Sequence, residues 1–289
     1  MNGLIIGITA ALTSAFSWAL ATILIKIGMR NKSPIAVNIV RLYIVSALFG
    51  IVFLIEGRFS ILESLPLELL IVAFVSGQLG FVVGDYFYFN ALKMAGVSRT
   101  VPVTSTYPLW TILWAVLFLG REVSPRVIVG ALLIFGAIVL VRKGEEEEHV
   151  NGKAFIFALL APISWSLAIL TMDWLTGYID VLTLAGLRMM MAALGITFLL
   201  PRFGEELSSL TKEEMAVLFG AAFFGLFIGQ YLFVYSVNLL GSQMAAPISA
   251  INPVISSALA VVFLKESPSR KILEGLLLAV LGVVLISTG

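Results

Sequence analysis

The sequence predicts an all-α integral membrane protein with ten transmembrane helices, arranged as an inverted repeat of five plus five. The first observation is composition, because 60% of the 289 residues are hydrophobic and only 12% are charged. Soluble proteins carry about 25% charged residues. The second is a series of ten apolar runs, each near the roughly 20 residues that a helix needs to cross a bilayer. The third is that distinctive motifs of the first half return in the second half in the same order.

Composition also excludes several classes of function. The formal net charge is +1, which gives no reason to expect nucleic acid as a partner. The chain has no cysteine, and its one histidine, His149, lies in an acidic run, so we expect no metal site and no cofactor. The sequence lacks the phosphate-binding motif G-x-x-x-x-G-K-[ST] and the hydrolase motifs G-x-S-x-G and H-E-x-x-H. ATP-driven pumping and familiar hydrolase chemistry are therefore not expected.

Two long polar breaks, Arg142 to Lys153 and Pro201 to Glu214, interrupt the apolar runs. The first break holds four successive glutamates, which cannot enter hydrocarbon. Residues 143–153 are therefore predicted to form a charged linker between a first repeat, 1–142, and a second repeat, 154–289. The ten spans are predicted at residues 4–26, 34–56, 67–92, 98–119, 124–142, 154–175, 180–200, 214–239, 243–264 and 269–288.

The two halves align at nearly constant offsets. Ser17-Trp18 falls on Ser164-Trp165 and Arg41 falls on Arg188 at an offset of 147 residues. Gly84-Asp85-Tyr86 falls on Gly229-Gln230-Tyr231 at an offset of 145. Since each repeat holds five helices, an odd number, the second repeat enters the membrane from the opposite side. Inverted repeats of this kind are typical of transporters, with the substrate site near the midplane where the halves meet.

Spans 4 and 9 each contain two prolines six residues apart, Pro102 and Pro108 in one and Pro247 and Pro253 in the other. A proline inside a helix removes one backbone hydrogen bond and clashes with the carbonyl four residues before it. The freed carbonyl is costly in lipid unless it faces protein or water. We therefore expect kinks at Pro108 and Pro253 that act in gating, beside a cavity. Its polar lining is predicted to include Thr104, Ser105, Ser249 and Asn252.

Three charged residues, Asp85, Arg41 and Arg188, lie well inside predicted spans, away from the helix ends. Asp85 is either a group that binds a proton or a substrate ammonium, or a structural partner of Arg41 or Lys93. Arg41 and Arg188 are either anion-binding residues or structural ones that reach the interface or pair with an acid. Asp173, which falls on Lys26 of the first half, lies at a helix end and is expected only to mark the membrane interface.

Aromatic residues are the other candidates for substrate contact. Trp18 and Trp165 lie well inside spans 1 and 6, away from the interfacial belts where tryptophans gather. Tyr107 directly precedes Pro108. An aromatic pocket with a few placed polar groups is the usual form of a small-molecule site, although packing between helices is the alternative. Further candidates on spans 3 and 8 are Tyr86, Tyr88, Gln230 and Tyr231.

Spans 5 and 10 hold few polar residues, and we assign them to the scaffold or to a dimer contact, so the protein is expected to be a monomer or a homodimer. Small residues such as Gly130 and Gly282 are expected to let these helices approach closely. Orientation stays open. Only Arg58, Arg121 and Arg126 lie on the side of the termini, so the positive-inside rule places both termini outside.

Several stretches together resemble the drug/metabolite transporter superfamily, and within it the ten-helix EamA-type transporters. The resemblance rests on Ser17-Trp18, Lys26 and Arg41, on the segment from Asn90 to Val141, and on its second copy from Ser236 to Ile286. It implies an inverted five-plus-five bundle, both termini in the cytoplasm, and a central cavity built mainly from spans 1, 3, 4, 6, 8 and 9. Family members move amino acids and other small metabolites by proton coupling, exchange or facilitated diffusion.

The resemblance also implies where cavity aromatics lie. The positions that match those of the aromatic-amino-acid exporters are Trp165 and Tyr107. The second of these is tryptophan in such relatives, and the family's Leu-Gly-Glu at the end of span 4 reads Leu-Gly-Arg-Glu here. Both departures leave the substrate open.

The sequence thus predicts a multi-pass plasma-membrane protein that exports small metabolites, above all amino acids or related compounds, as a secondary transporter and not as an enzyme. Phosphorylated, nucleotide or lipid-like cargo is the alternative within the same class. A membrane enzyme acting on lipid-linked substrates and a non-transporting assembly protein are the alternatives from other classes. Proton coupling through Asp85 is one mode that transport could use.

Overall fold

A computed structural model of the chain describes residues 2–28, 32–95, 100, 103–142, 152–263 and 270–289. Throughout these residues the regular secondary structure is helical, and no strand occurs among them. The helices are α1 (Asn2–Gly28), α2 (Pro34–Ile55), α3 (Phe59–Ser64), α4 (Leu67–Gln78), α5 (Gly84–Ala95), α6 (Tyr107–Leu119), α7 (Pro125–Arg142), α8 (Gly152–Leu175), α9 (Val181–Ile196), α10 (Leu200–Ser208), α11 (Lys212–Ala222), α12 (Gly229–Leu240), α13 (Ser242–Ser249), α14 (Asn252–Phe263) and α15 (Arg270–Ser287).

Some of these helices continue directly into the next one through a short π or 3₁₀ turn. A π-helical turn, Leu79–Val83, connects α4 to α5, and another, Phe223–Ile228, connects α11 to α12. A 3₁₀ turn, Thr197–Leu199, connects α9 to α10. Six stretches are long and apolar enough to cross a membrane, and three apolar helices are shorter. The six are Asn2–Ile25, Pro34–Ile55, Leu67–Ala95, Gly152–Leu175, Val181–Ser208 and Lys212–Leu240, and the three are Tyr107–Leu119, Pro125–Leu140 and Leu273–Ser287.

The predicted all-helical membrane class is confirmed, whereas the ten-span inverted arrangement stays a prediction. Two parts of the chain differ from expectation. The predicted polar break from Pro201 to Glu214 contains α10, and the short helix α3 follows α2 where only a connection was expected. Of the predicted linker, residues 143–151 lie outside the described part, and α8 already begins at Gly152. Pro102 and the side chain of Lys26 also lie outside it.

Polar residues at the helix starts show why these segments begin where they do. The Ser33 hydroxyl accepts a hydrogen bond from the Ala36 N–H, and Pro34 occupies the first turn of α2, where its missing N–H costs nothing. Asp180 caps α9 in the same way. Thr211 and Glu214 form a reciprocal capping box at the start of α11.

Two apolar cores hold the bundle together. The first lies among α2, α4, α8, α9 and α12 and includes the fully buried Phe49 and Phe53. The second lies among α1, α6, α7, α13, α14 and α15. In it α7 packs on α15 at Gly130 and Gly282, where a Cβ atom on either glycine would lie within 2.7 Å of the other's carbonyl oxygen. The predicted close approach of these two helices at this glycine pair is therefore confirmed.

The proline-rich spans are interrupted, not bent. A turn at residues 105–106 precedes α6, and a turn at residues 250–251 separates α13 from α14. The two turns are related by the same offset of 145 as the surrounding sequence. Pro108 and Pro253 are each the second residue of a new helix, a position where the missing N–H has no intrahelical partner to lose. The expectation of a proline kink inside a continuous helix is thus replaced by a helix break followed by a proline-started helix.

Candidate functional site

Trp165 is the centre of a cluster that joins the two halves of the chain. It projects from α8, in the second half, and its indole Nε1 donates to Asp85 Oδ1 at 3.1 Å. Its ring lies 5.3 Å from that of Tyr88 and 6.4 Å from that of Tyr107, the latter edge-on. Asp85, Tyr88 and Tyr107 belong to the first half. Four predicted site residues are therefore brought together in one place.

Helix α2 brings further polar groups to this cluster. Asn38 is 3% exposed and its side-chain amide donates to the Phe81 carbonyl at 2.7 Å, within the first π turn. Asn38 hydrogen bonds to the Asp85 carboxylate, and the positive charge of Arg41 attracts it. The Arg41 Nε is buried and has no hydrogen-bond partner within the described part of the chain. An acid, a guanidinium and an amide thus face one another beside the aromatic rings.

Glycines set the position of both tryptophans. A Cβ atom on Gly84 would lie 2.5 Å from the Trp165 ring, and one on Gly229 would lie 2.7 Å from the Trp18 ring. The two glycines follow the two π turns, and the Trp18 Nε1 donates at 3.0 Å to the carbonyl of Gly225 inside the second turn. Turns of π geometry are often found at functional sites. The two halves therefore repeat the same tryptophan-on-glycine contact, although Trp18 has no carboxylate as its acceptor.

Arg188 lies in a structural environment. It is 2% exposed, its Nε donates to Ser76 Oγ at 2.9 Å, and one Nη lies 2.8 Å from the Met172 sulfur. Its guanidinium also stacks over the Phe81 ring at 5.5 Å. Packing and hydrogen bonding thus occupy this side chain, in contrast to the unpartnered Nε of Arg41.

The small polar residues near the helix breaks are buried or half-buried, and some of them form hydrogen bonds to another helix or within their own. Ser249 is fully buried and donates to the Ala11 carbonyl of α1, and the Asn252 side chain accepts from Ser256 on the same helix. The Tyr107 hydroxyl contacts the Ala246 carbonyl at 3.4 Å across the halves. Thr104, Ser105 and Gln230 are also buried, each less than 9% exposed.

Two predicted aromatic candidates lie elsewhere. Tyr86 is 46% exposed and packs against Phe87 and Phe157, so it faces away from the cluster around Trp165. Tyr231 lines a separate cleft of ≈ 300 Å³ together with Phe49 and Phe227, and its ring stacks on Tyr235. The structure does not bring either of them to Trp165.

Asp173 does more than mark a helix end, so the expectation that it only marks the interface is wrong. It is 2% exposed, and Arg121 donates to its Oδ1 at 2.6 Å. The backbone N–H and the hydroxyl of Ser242 both donate to Oδ2, at 2.9 and 2.6 Å. The carboxylate therefore caps the start of α13 and ties it to the end of α6. A cleft of ≈ 560 Å³ opens beside this pair, lined also by Trp174, Tyr178 and Asn238.

Sequence reasoning missed Asn38 and Ser76. Asn38 lies three residues before Arg41 on α2 and so on the same helix face, which was a usable signal for a polar site. Ser76, which donates to the Ala168 carbonyl and accepts from Arg188, is a single serine in an apolar run. Such a residue gives no signal of its partner, because the contact spans 112 positions of the chain.

Comparison with known proteins places this fold in a family. The model of the EamA-like transporter family matches residues 5–143 and again residues 152–288. The chain therefore belongs to the EamA-like transporter family, within the drug/metabolite transporter superfamily, and is a multi-pass integral membrane transporter.

The names of similar proteins point to different cargo. An "Uncharacterized transporter" of Archaeoglobus fulgidus is 29% identical, over 96% of this chain and 97% of its own. A "Probable amino-acid metabolite efflux pump" of Escherichia coli is 24% identical, over 96% of this chain and 91% of its own. A "Putative sugar uptake protein" of Listeria innocua is 25% identical, over 74% and 77%. One solved crystal structure matches with a TM-score of 0.81 at 19% identity, over 96% of this chain and 95% of its own, which shows a shared fold.

Proposed function

We propose that this transporter is a secondary exporter of small polar or amphipathic metabolites, amino acids or related compounds, and that it has no enzymatic activity. Ten spans would form an inverted pair of five-helix units, residues 1–142 and 154–289, joined by the charged linker. Alternating access would open the space between the units first to one side and then to the other, around a site near the midplane.

The observation that carries this proposal is the contact between halves at Trp165. This residue of the second half touches Asp85, Tyr88 and Tyr107 of the first half. Residues that meet across the boundary of two moving units change their separation when the units move, so a substrate held there senses both states. An aromatic wall with a carboxylate and a guanidinium beside it also matches the usual make-up of a small-molecule site.

The test is counterflow in proteoliposomes of the purified full chain, with a panel of amino acids, sugars and phosphate esters, with and without a pH gradient. We expect at least one amino acid to exchange. Stimulation by the gradient would support proton coupling, and Asp85→Asn should then lose the pH dependence of transport. If no compound of the panel exchanged, export of small metabolites by this chain would be the wrong proposal.

The site itself is tested by Trp165→Ala and Tyr107→Ala. Each removes an aromatic wall of the cluster, and we expect transport to fall by about tenfold or more, because each tenfold step corresponds to about 1.4 kcal/mol of binding or barrier. Phe155→Ala is the matched control, since Phe155 is an exposed aromatic on the same helix as Trp165. Wild-type rates in both well-folded variants would remove Trp165 and Tyr107 from the site.

A further inference from the structure

The proposed function leaves open what the charged groups beside Trp165 recognise. Asp85 and Arg41 lie in the interior of the bundle on α5 and α2, both only partly accessible, and attract each other electrostatically. In the described part of the chain neither takes part in a direct ion pair. The ion pairs that do form there join Lys32 to Glu214, Arg58 to Glu56 and Asp180, Arg121 to Asp173, and Arg270 to Glu274.

Asp85 is hydrogen bonded by Trp165 and Asn38, whereas Arg41 keeps one donor, its buried Nε, without a partner within the described residues. A buried donor without a partner, or a charge away from water, is costly unless something complements it. Two opposite charges that face each other without direct contact are complemented at once by a ligand that carries both charges.

We propose that Asp85 and Arg41 determine the substrate specificity, by binding the two oppositely charged groups of a net-neutral, zwitterionic cargo. The ammonium of the cargo would lie against the Asp85 carboxylate and the Trp165 ring, where a cation is favoured by both the charge and the aromatic face. The carboxylate of the cargo would be held by the Arg41 guanidinium, whose planar fork fits carboxylates. The rest of the cargo would pack on Tyr88 and Tyr107.

Other cargo chemistries fit these residues less well. A sugar would leave both charges unmatched, and a simple amine or a simple acid would leave one of them unmatched. A phosphate ester with two negative charges would require a second cation. Arg188, the counterpart of Arg41 in the second half, is already engaged by Ser76, Met172 and Phe81. The proposal rests on the transport function above and narrows it to zwitterions with apolar or aromatic side chains.

The experiment compares matched ligands on the wild-type protein. L-Leucine and L-phenylalanine are tested in counterflow against their N-acetyl derivatives, which lack the ammonium, their amides, which lack the carboxylate, and their decarboxylated amines. We expect the parent amino acids to exchange at least about tenfold faster than each derivative, since an unmatched buried charge is worth more than one tenfold step. The same order is expected for the rise in Tm that each compound causes in detergent.

Two variants show which residue recognises which charged group of the ligand. In Asp85→Asn, the N-acetyl derivative should exchange as fast as its parent amino acid, and the parent should still exchange faster than its amide. Arg41→Gln should bring the amide level with its parent and leave the preference for free amine over N-acetyl. Glu274→Gln and Arg270→Gln are the controls, because this exposed pair on α15 loses the same charges far from the site. A variant that only disturbs the fold would lower the exchange rates of all ligands together and would leave their order unchanged.

The outcomes separate the two proposals. If amides or N-acetyl derivatives exchange as fast as the parents, or if only sugars or phosphate esters exchange and stabilise the protein, the zwitterion proposal is overturned while transport stands. If nothing in either series exchanges or raises the Tm, the proposed transport function is overturned as well.

Discussion

Gly84 carries more of the site's geometry than its lack of a side chain suggests. A Cβ atom at this position would lie 2.5 Å from the Trp165 ring and 2.8 Å from the Leu79 carbonyl oxygen. The ring cannot easily retreat, because its Nε1 is hydrogen bonded to Asp85 and its face packs on Tyr88. The glycine therefore fixes how closely α8 approaches the π turn and, through it, where the Asp85 carboxylate lies.

We predict that Gly84→Ala lowers stability by about 1–3 kcal/mol, the usual cost of overpacking, and slows transport. Thermal unfolding in detergent and counterflow of the wild-type substrate measure the two effects. Gly136→Ala on α7 is the control, since a Cβ atom there meets nothing within 4 Å and alanine favours a helix over glycine. A Gly84→Ala protein with wild-type Tm and rate would show that the Trp165 ring has room to move.

At the same scale, sequence patterns identify some site residues better than others. Asp85, Tyr107 and Trp165 stand out because a charge, or an aromatic beside a proline, is unusual inside an apolar run. The structure brings these three residues together, while their role in substrate binding stays a prediction. Tyr86 and Tyr88 are two positions apart on α5 and so face nearly opposite sides, and it is Tyr88 that contacts Trp165 while Tyr86 faces outward. Such a difference depends on the rotation of α5 after the π turn, which composition does not encode.

The short helix α13 shows how one buried acid organises an element. Asp173 on α8 accepts both the N–H and the hydroxyl of Ser242, the first residue of α13, and pairs with Arg121. The carboxylate thus satisfies an N-terminal donor of α13 and adds negative charge where the helix dipole favours it. Since α13 leads into the break at residues 250–251, this contact also anchors one end of the interrupted span.

We predict that Asp173→Asn destabilises the protein by about 2 kcal/mol or more, because the amide leaves Arg121 without its partner and keeps only part of the cap. A loss of this size corresponds to about 4–8 °C in Tm for a large domain. The measurement is thermal unfolding in detergent, with Glu205→Gln on α10 as an exposed-acid control. An unchanged Tm would mean that water replaces the carboxylate without penalty.

Asp180, the cap of α9, lies just before the observed span Val181–Ser208 and gives a pH-dependent prediction. Partial burial acts to raise the pKa of this carboxyl, but hydrogen bonds from Thr183 and the charge and hydrogen bond of Arg58 outweigh it and hold the pKa below its ordinary value. A carboxyl with a lowered folded-state pKa stabilises the fold above its unfolded pKa of about 3.9. That contribution is lost as the pH falls through the folded-state pKa.

The wild-type protein should therefore lose more Tm than Asp180→Asn when the pH is lowered from about 5 to about 3. The difference is expected to be small, because the side chain is 48% exposed and water screens the Arg58 pair. Thermal unfolding of both proteins across this pH range isolates the contribution, since all other acids titrate in both. Parallel pH profiles would show that Asp180 contributes nothing to acid sensitivity.

Elements were predictable in proportion to their length. The long apolar runs predicted helices whose observed ends mostly differ by a few residues, because roughly 20 apolar residues leave few alternatives in a membrane protein. The π turns at Leu79–Val83 and Phe223–Ile228 were not predicted. Each is followed by a glycine, Gly84 or Gly229, against which a tryptophan from another helix packs, and such a long-range contact leaves no local sequence pattern. The prolines signalled an irregularity, but the choice between a kink and a break depends on the tertiary partners of the freed carbonyls.

For the whole molecule, the halves meet at more than the site. Arg121 of the first half pairs with Asp173 of the second, and the Tyr107 hydroxyl contacts the Ala246 carbonyl. The Arg121 pair lies where α6 and α8 end, beside the cleft of ≈ 560 Å³. If the units rock against each other around the site, a contact at one end of the bundle must separate in one of the two states.

Because the chain has no cysteine, this separation can be tested without background labelling. In a protein carrying Arg121→Cys and Asp173→Cys, we predict that a short bifunctional thiol reagent slows counterflow by about tenfold or more, a barrier increase of roughly 1.4 kcal/mol. The link would hold the halves together at this end, and reduction of a cleavable reagent should restore the rate. The single variant Arg121→Cys treated with the same reagent shows what modification alone does, and the unlinked double variant shows what loss of the ion pair does. Full-rate transport by the linked protein would mean that the halves do not part here, and alternating access would then need a different moving boundary.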